Sequence, residues 1–137
     1  MFFSLNLKAF LLRVFTTKKS IDFELADVKS ILFLRYDRIG DMIITTPVFR
    51  EFKGSFPDVK IMVLASKVNK DVLQNNPYID EIIVNDKNNF FGDCISLFKL
   101  RRRKIDVCIE LDHSVIPHAI IRLRIINSKK IISVRKD

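Results

Sequence analysis

Five short β-forming runs, each parted from the next by a helical or turn-rich stretch, leave few folds open to this chain. They are Ile31–Leu34, Val59–Ala65, Glu81–Val84, Ile105–Leu111 and Lys130–Val134. Runs rich in Ile, Val and Leu read as strands covered on both faces. Between the first two, apolar residues at 43, 44, 48, 49 and 52 give Met42–Lys53 a helical stripe. Lys67–Gln74 reads as a short helix stopped by the breaker Asn75-Asn76-Pro77, and Asp86–Asn89 as a polar loop. Phe90–Lys104 and Ile116–Ile126 supply two further helices, the second with Pro117 in its first turn. Strand and helix alternating from residue 29 to 137 predict an α/β fold, a Rossmann-like doubly wound parallel sheet. A length of 137 residues suits one such domain and not two.

The first 28 residues read as an extension and linker. Met1–Phe15 is mostly apolar, yet its longest uncharged run is seven residues, far short of the roughly 18–20 that span a bilayer. It lacks the basic start and small-residue cleavage site of a secretory signal. Phe2, Phe3, Phe10 and Phe15 followed by Lys18 and Lys19 suit the surface of an anionic bilayer; packing against a domain outside the chain is the other reading. Thr16–Val28 is polar and serves as a linker. Cys94 and Cys108 have no metal or redox spacing and read as buried free thiols of a reducing, cytoplasmic compartment. Lys and Arg exceed Asp and Glu by eight (24 against 16), so the surface attracts anions.

The densest chemistry follows the first strand, in Arg35-Tyr36-Asp37-Arg38-Ile39-Gly40-Asp41. Open α/β sheets bind ligands at the carboxyl ends of their strands. No loop carries G-x-G-x-x-G or G-x-x-x-x-G-K-[ST], so NAD, FAD and ATP are not expected by those devices, and no cofactor is assigned. Asp41 follows the loop glycine Gly40 where strand gives way to helix, which aims its carboxylate at the crevice. It reads either as a helix N-cap or as a proton-transfer group. Asp37 either pairs with Arg35 or Arg38 or faces a ligand, and the Arg38 guanidinium matches a carboxylate or phosphate in bidentate fashion. Thr45 and Thr46 can cap a helix or donate to a ligand. Pro47 leaves the helix start open: a helix from Asp41 is kinked at Pro47, whereas one capped by Thr46 takes Pro47 at its favoured first position.

At the end of the fourth strand, Asp112, His113 and Ser114 reach the same edge. Residues adjacent in sequence cannot converge as a catalytic triad, which leaves substrate hydrogen bonding to Asp112 or His113. His118 reads as structural, and no His, Cys or Asp pair has metal-ligand spacing. Arg101–Lys104 is a basic last turn that suits the helix dipole; with no stacking motif beside it, no nucleic acid partner is expected.

Arg35-x-Asp37-Arg38-Ile39-Gly40-Asp41-Met42, then Thr45-Thr46-Pro47, Arg50, Lys53 and Phe56-Pro57, resembles the opening of glycosyltransferase family 9, the heptosyltransferases of lipopolysaccharide core assembly. The likeness runs from about Lys29 to the end of the chain. It implies a GT-B fold, two Rossmann-like domains across a cleft, of which this chain is the N-terminal, acceptor-holding one. The donor domain, which holds a nucleotide sugar (ADP-heptose in the best-known members), then lies outside the chain, and the chain alone is expected to be inactive. The resemblance makes Asp41 the general base of an inverting transfer, with Arg38, Asp37, Thr45, Thr46, Asp112 and His113 on the acceptor side. It implies an anionic glycolipid acceptor and peripheral contact with the inner face of an anionic membrane. An inactive acceptor-binding or scaffold module is the alternative. A receiver-like signalling domain would need Asp86 and Lys136 in roles that the surrounding pattern does not support.

Overall fold

A computed structural model describes residues 27–36, 38–86, 88–111 and 117–133. The elements run β1 (Ser30–Leu34), α1 (Ile39–Ser55), β2 (Lys60–Ser66), a 3₁₀ turn (Lys70–Leu73), β3 (Glu81–Asn85), α2 (Phe90–Arg102), β4 (Val107–Glu110), α3 (Pro117–Ile126) and β5 (Lys130–Ser133). All strand pairs are parallel, in the spatial order β3-β2-β1-β4-β5. The expected Rossmann-like, doubly wound sheet is therefore what the chain forms. From β1 the chain winds outward to β3, then returns to the other side of β1 and winds outward again.

Strand residues alternate between two apolar layers. Ile31 and Phe33 of β1, Ile61 and Val63 of β2, and Ile109 of β4 meet Met42, Phe49 and Phe52 of α1. Those α1 residues bury because they recur at helical spacing on one side. Phe33 meets Phe49 and Phe52 edge-on, with ring centroids 5.0 and 5.5 Å apart, geometry that adds about 0.5–1.5 kcal/mol per pair beyond area burial. On the other face, Leu32, Leu34, Leu64 and Cys108 pack against Leu97 and Leu100 of α2 and Leu123 and Ile126 of α3. Burial pushes the Cys108 thiol far above its ordinary range, and the Glu110 charge adds to this; both cysteines are free. Val28, placed by sequence in the linker, is buried in the first layer, so the folded unit reaches back to it.

Two helices end sooner than their sequence suggests. The stretch Lys67–Gln74 yields only the 3₁₀ turn, because Ser66 N–H donates to Asn69 Oδ1 (2.8 Å) and Asn69 N–H to Ser66 Oγ (3.3 Å). Side-chain bonds of this kind compete with a helical ladder. α2 stops at Arg102, since Lys104 adopts a left-handed φ of 50°. Among the described residues no helix is long and apolar enough to cross a membrane.

The amino edge of the sheet is stapled by two aspartates. Oδ2 of Asp106, just before β4, accepts from the N–H groups of Lys29 (3.0 Å) and Ser30 (3.1 Å), while Lys129 Nζ lies 2.6 Å from Oδ1. Oδ2 of Asp80, just before β3, accepts from Ile61 N–H (2.7 Å) and Lys53 Nζ (2.8 Å). Burial alone would raise both carboxyls, but these donors outweigh it and hold them below the usual carboxylate range. A lowered folded value means stability that is full above about pH 4 and lost as the pH falls through the folded values. Urea midpoints should therefore drop on acidification below about pH 4. Asp106→Ala should flatten that slope and cost about 1–3 kcal/mol at neutral pH by stranding the Lys29 and Ser30 donors. An unchanged slope would assign the acid sensitivity elsewhere.

Candidate active site

The winding reverses between β1 and β4, so a crevice opens at the carboxyl ends of those strands. The chain leaving β1 is fastened there from both faces of the sheet. Arg35 is 5% exposed. Its Nη1 donates to the Leu111 carbonyl just past β4, and its Nη2 lies 3.4 Å from Asp41 Oδ1. Its N–H donates to Leu64 O (3.1 Å) and its carbonyl accepts from Asn69 Nδ2 (3.0 Å). Tyr36 turns to the opposite face, where the Arg122 guanidinium stacks 4.6 Å from its ring centroid. Arg122 in turn donates to Asp93 Oδ2 from Nη2 (2.9 Å) and Nε (3.3 Å). Burial disfavours the Arg122 charge, yet Asp93 and Tyr36 outweigh it and raise its pKa.

α1 begins before either start that the sequence left open. Arg38 is the N-cap, with extended backbone and no side-chain capping bond, so Ile39, Gly40 and Asp41 form the first turn. Asp41 is thus not the cap, Gly40 is helical rather than in a loop, and Thr46 is not a cap. The helix runs through Pro47, whose missing N–H leaves the Ile43 carbonyl without its ladder donor. Thr46 Oγ1 supplies the substitute, donating to Ile43 O at 2.8 Å, and Thr45 Oγ1 donates to Asp41 O at 2.7 Å. Both threonine hydroxyls thus serve the backbone of their own helix, and Thr45 is buried.

An uncapped helix start bearing a cation runs against local preference, because the amino end of a helix is already positive. Such breaches concentrate at functional sites. Arg38 is exposed, and the Asp41 side chain is 32% exposed. The second carboxylate oxygen of Asp41 meets no donor among the described residues. A Cβ built on Gly40 would touch nothing within 4 Å among the described residues, so packing against them does not require glycine there. Along the outer side of α1 runs a shallow groove of about 420 Å³, lined by Ile43, Thr46, Pro47, Arg50, Val72 and Tyr78 among others. Asp37, Asp112 and His113 lie outside the described residues, as does Ser114. The Arg35–Leu111 bond brings the exit of β4 beside the Arg35–Asp41 pair.

Sequence reasoning missed Asn69, Tyr36, Asp93 and Arg122. Asn69 shows only a local turn signal. The clue to Arg122 is its place on the buried side of α3 beside Leu123 and Ile126; nothing local names its partners.

No family model matches the chain. It is 32% identical over 90 residues to lipopolysaccharide heptosyltransferase 3 of Escherichia coli, a match covering 61% of this chain and 26% of that protein. It is 31% identical over 62 residues to a putative glycosyltransferase of Haemophilus influenzae, covering 45% of this chain and 18% of that one. The crystal structure of a family 9 glycosyl transferase from Veillonella parvula superposes with a TM-score of 0.66 at 26% identity, over 81% of this chain and 33% of that one. The matches thus span between about a fifth and a third of the relatives' lengths.

The Arg35 contacts differ in weight. Arg35→Met should cost about 1.5–3 kcal/mol by leaving the Leu111 carbonyl without its charged donor. Asp41→Asn should cost less than about 1 kcal/mol, since the 3.4 Å contact is one-third exposed on the aspartate side. Urea denaturation of the two variants checks this; equal losses would mean that the ion pair, rather than the carbonyl bond, holds the loop.

Proposed function

The chain is similar to glycosyltransferase family 9 in both sequence and fold, and on that footing we propose that it forms the acceptor-side domain of a GT-B sugar transferase. The donor is a nucleotide sugar, with ADP-heptose suggested by the family likeness, held by a second Rossmann-like domain. The acceptor is an anionic glycolipid of the lipopolysaccharide core type. One observation carries the reading: Asp41 stands part-exposed at the switch-point edge, beside buried Arg35, inside the stretch that resembles the family's opening motif.

Chemistry follows from that placement. Arg35 engages Oδ1 of Asp41, and the other oxygen takes the proton of an acceptor hydroxyl. As the proton moves, the acceptor oxygen bonds to the anomeric carbon. The carbon–oxygen bond to the nucleotide diphosphate breaks, and its electron pair leaves with the diphosphate. A single displacement of this kind inverts the anomeric centre. Arg38, exposed at the start of α1, joins the unsatisfied N–H groups of the first turn in holding an anionic group of the acceptor. Asp37, Asp112 and His113 supply further contacts to the acceptor. Thr45 keeps the first turns of α1 in shape.

The test is Asp41→Asn in an active assembly of this chain with a nucleotide-sugar-binding domain. Turnover should fall on the order of 10²–10⁴-fold, about 3–5.5 kcal/mol of transition-state stabilisation, with acceptor affinity retained. Arg38→Ala should instead weaken acceptor binding roughly tenfold at similar turnover. Asp37→Asn is the control. Turnover retained within a few-fold by Asp41→Asn, with loss in Asp37→Asn, would assign the base to the other aspartate.

A further inference from the structure

α2 carries apolar residues on the side where a surface helix is normally polar. Leu97 and Leu100 face the sheet and Asp93 lies with them, paired to Arg122. At 3.6 residues per turn, the line through Phe91, Ile95, Phe98 and Arg102 runs along the opposite crest. Phe91 is 79%, Ile95 57% and Phe98 55% exposed, and Phe90 beside them is 74% exposed. Ile121 of α3, one residue before the Arg122 clamp, is exposed as well. A helix apolar on both sides belongs in an interior or against a hydrophobic partner, and a contiguous aromatic patch of this kind marks an interaction site.

The charges on the same element identify the partner. Beyond the aromatic residues, Lys99, Arg101 and Arg102 are exposed and basic; Lys104 follows in the turn, while Arg103 is paired with Glu81. The one acidic residue of α2, Asp93, is turned inward and neutralised by Arg122, and α3 contains none. The crest is thus aromatic, basic along its carboxyl end and free of exposed carboxylates. An anionic phospholipid surface meets both halves of that description: acyl chains and headgroup carbons take the phenyl rings, and lipid phosphates take the guanidinium and ammonium groups.

We infer that the outer face of α2, with Phe91, Ile95 and Phe98 inserted and Lys99, Arg101 and Arg102 on phosphates, is a docking surface for anionic phospholipid bilayers. The inference stands apart from the transfer chemistry and needs no nucleotide sugar.

Co-sedimentation of the full chain with phosphatidylglycerol-containing vesicles, and with pure phosphatidylcholine vesicles, tests it. The chain should sediment with the anionic vesicles, more weakly with the neutral ones, and lose much of its binding as salt shortens the range of charge attraction. Phe91→Ser/Ile95→Ser/Phe98→Ser should bind the anionic vesicles at least about tenfold more weakly, and Arg101→Gln/Arg102→Gln should lose the preference for anionic lipid. Val68→Ser, which removes an exposed apolar side chain elsewhere (65% exposed), should bind like the parent. Circular dichroism and thermal melting confirm that each variant is folded; the substituted side chains are exposed, so their melting should match the parent. Undiminished vesicle binding by the triple variant would overturn the inference and place any membrane contact elsewhere in the chain. So would parent chain that ignores vesicles but self-associates through this face, shown by light scattering that the triple variant abolishes.

Discussion

A buried guanidinium holds the carboxyl edge of this sheet together. An arginine taken out of water is tolerated only where acceptors meet its donors, and Arg35 finds them on different elements. One nitrogen reaches the Leu111 carbonyl beyond β4 and another approaches Asp41 in α1, while its own backbone is tied to Leu64 of β2 and to Asn69. Arg35 thus ties Asp41 to the exit of β4, adding to the packing of Met42, Phe49 and Phe52 that seats α1 on the sheet. Tyr36 completes the arrangement: as the next residue along an extended chain it points to the other face, where Arg122 and Asp93 hold it.

The two edges of the sheet obey different rules. At the amino edge, Asp80 and Asp106 satisfy the donors of neighbouring strands and cations close the ion pairs. At the carboxyl edge local preferences are breached: α1 starts on a cation without a capping side chain, and Asn85, the last residue of β3, is buried with neither amide atom bonded. Each orphaned buried group costs about 1–3 kcal/mol. Satisfied carboxylates thus gather at the amino edge, and exposed Arg38 and part-exposed Asp41 at the other.

Much of the fold was legible because it rests on period and composition. Each strand lies within two residues of its sequence bounds, since Ile31–Leu34 and Ile61–Ala65 are continuous apolar runs, and the alternation with helices dictates a parallel sheet. What stayed open was local: Pro47 left the helix start undecided between Asp41 and Thr46, because sequence does not show that Thr46 supplies the donor that Pro47 lacks. Asn69 was invisible for another reason, since its partner lies 34 residues away. The Tyr36–Arg122–Asp93 cluster is hidden in the same way, because three residues on three elements share no spacing. Of the residues singled out in advance, Asp41 and Arg38 share one helical turn at the switch-point edge, whereas Thr45 and Thr46 are joined to their own helix.

α2 links the two surfaces of the molecule that matter most. Its inner side carries Asp93, which holds Arg122 and through it Tyr36, the residue immediately ahead of Asp37 and Arg38. Its outer side carries Phe91, Ile95 and Phe98. Crest and clamp therefore stand back to back across one helix, roughly 10–12 Å apart. The Asp93–Arg122 pair is 14% and 10% exposed. Removing one partner would leave the other charge buried and uncompensated, a loss of about 3–5 kcal/mol. The same contact thus joins α2 to α3 and, through the stacked Tyr36 ring, to the chain that leaves β1.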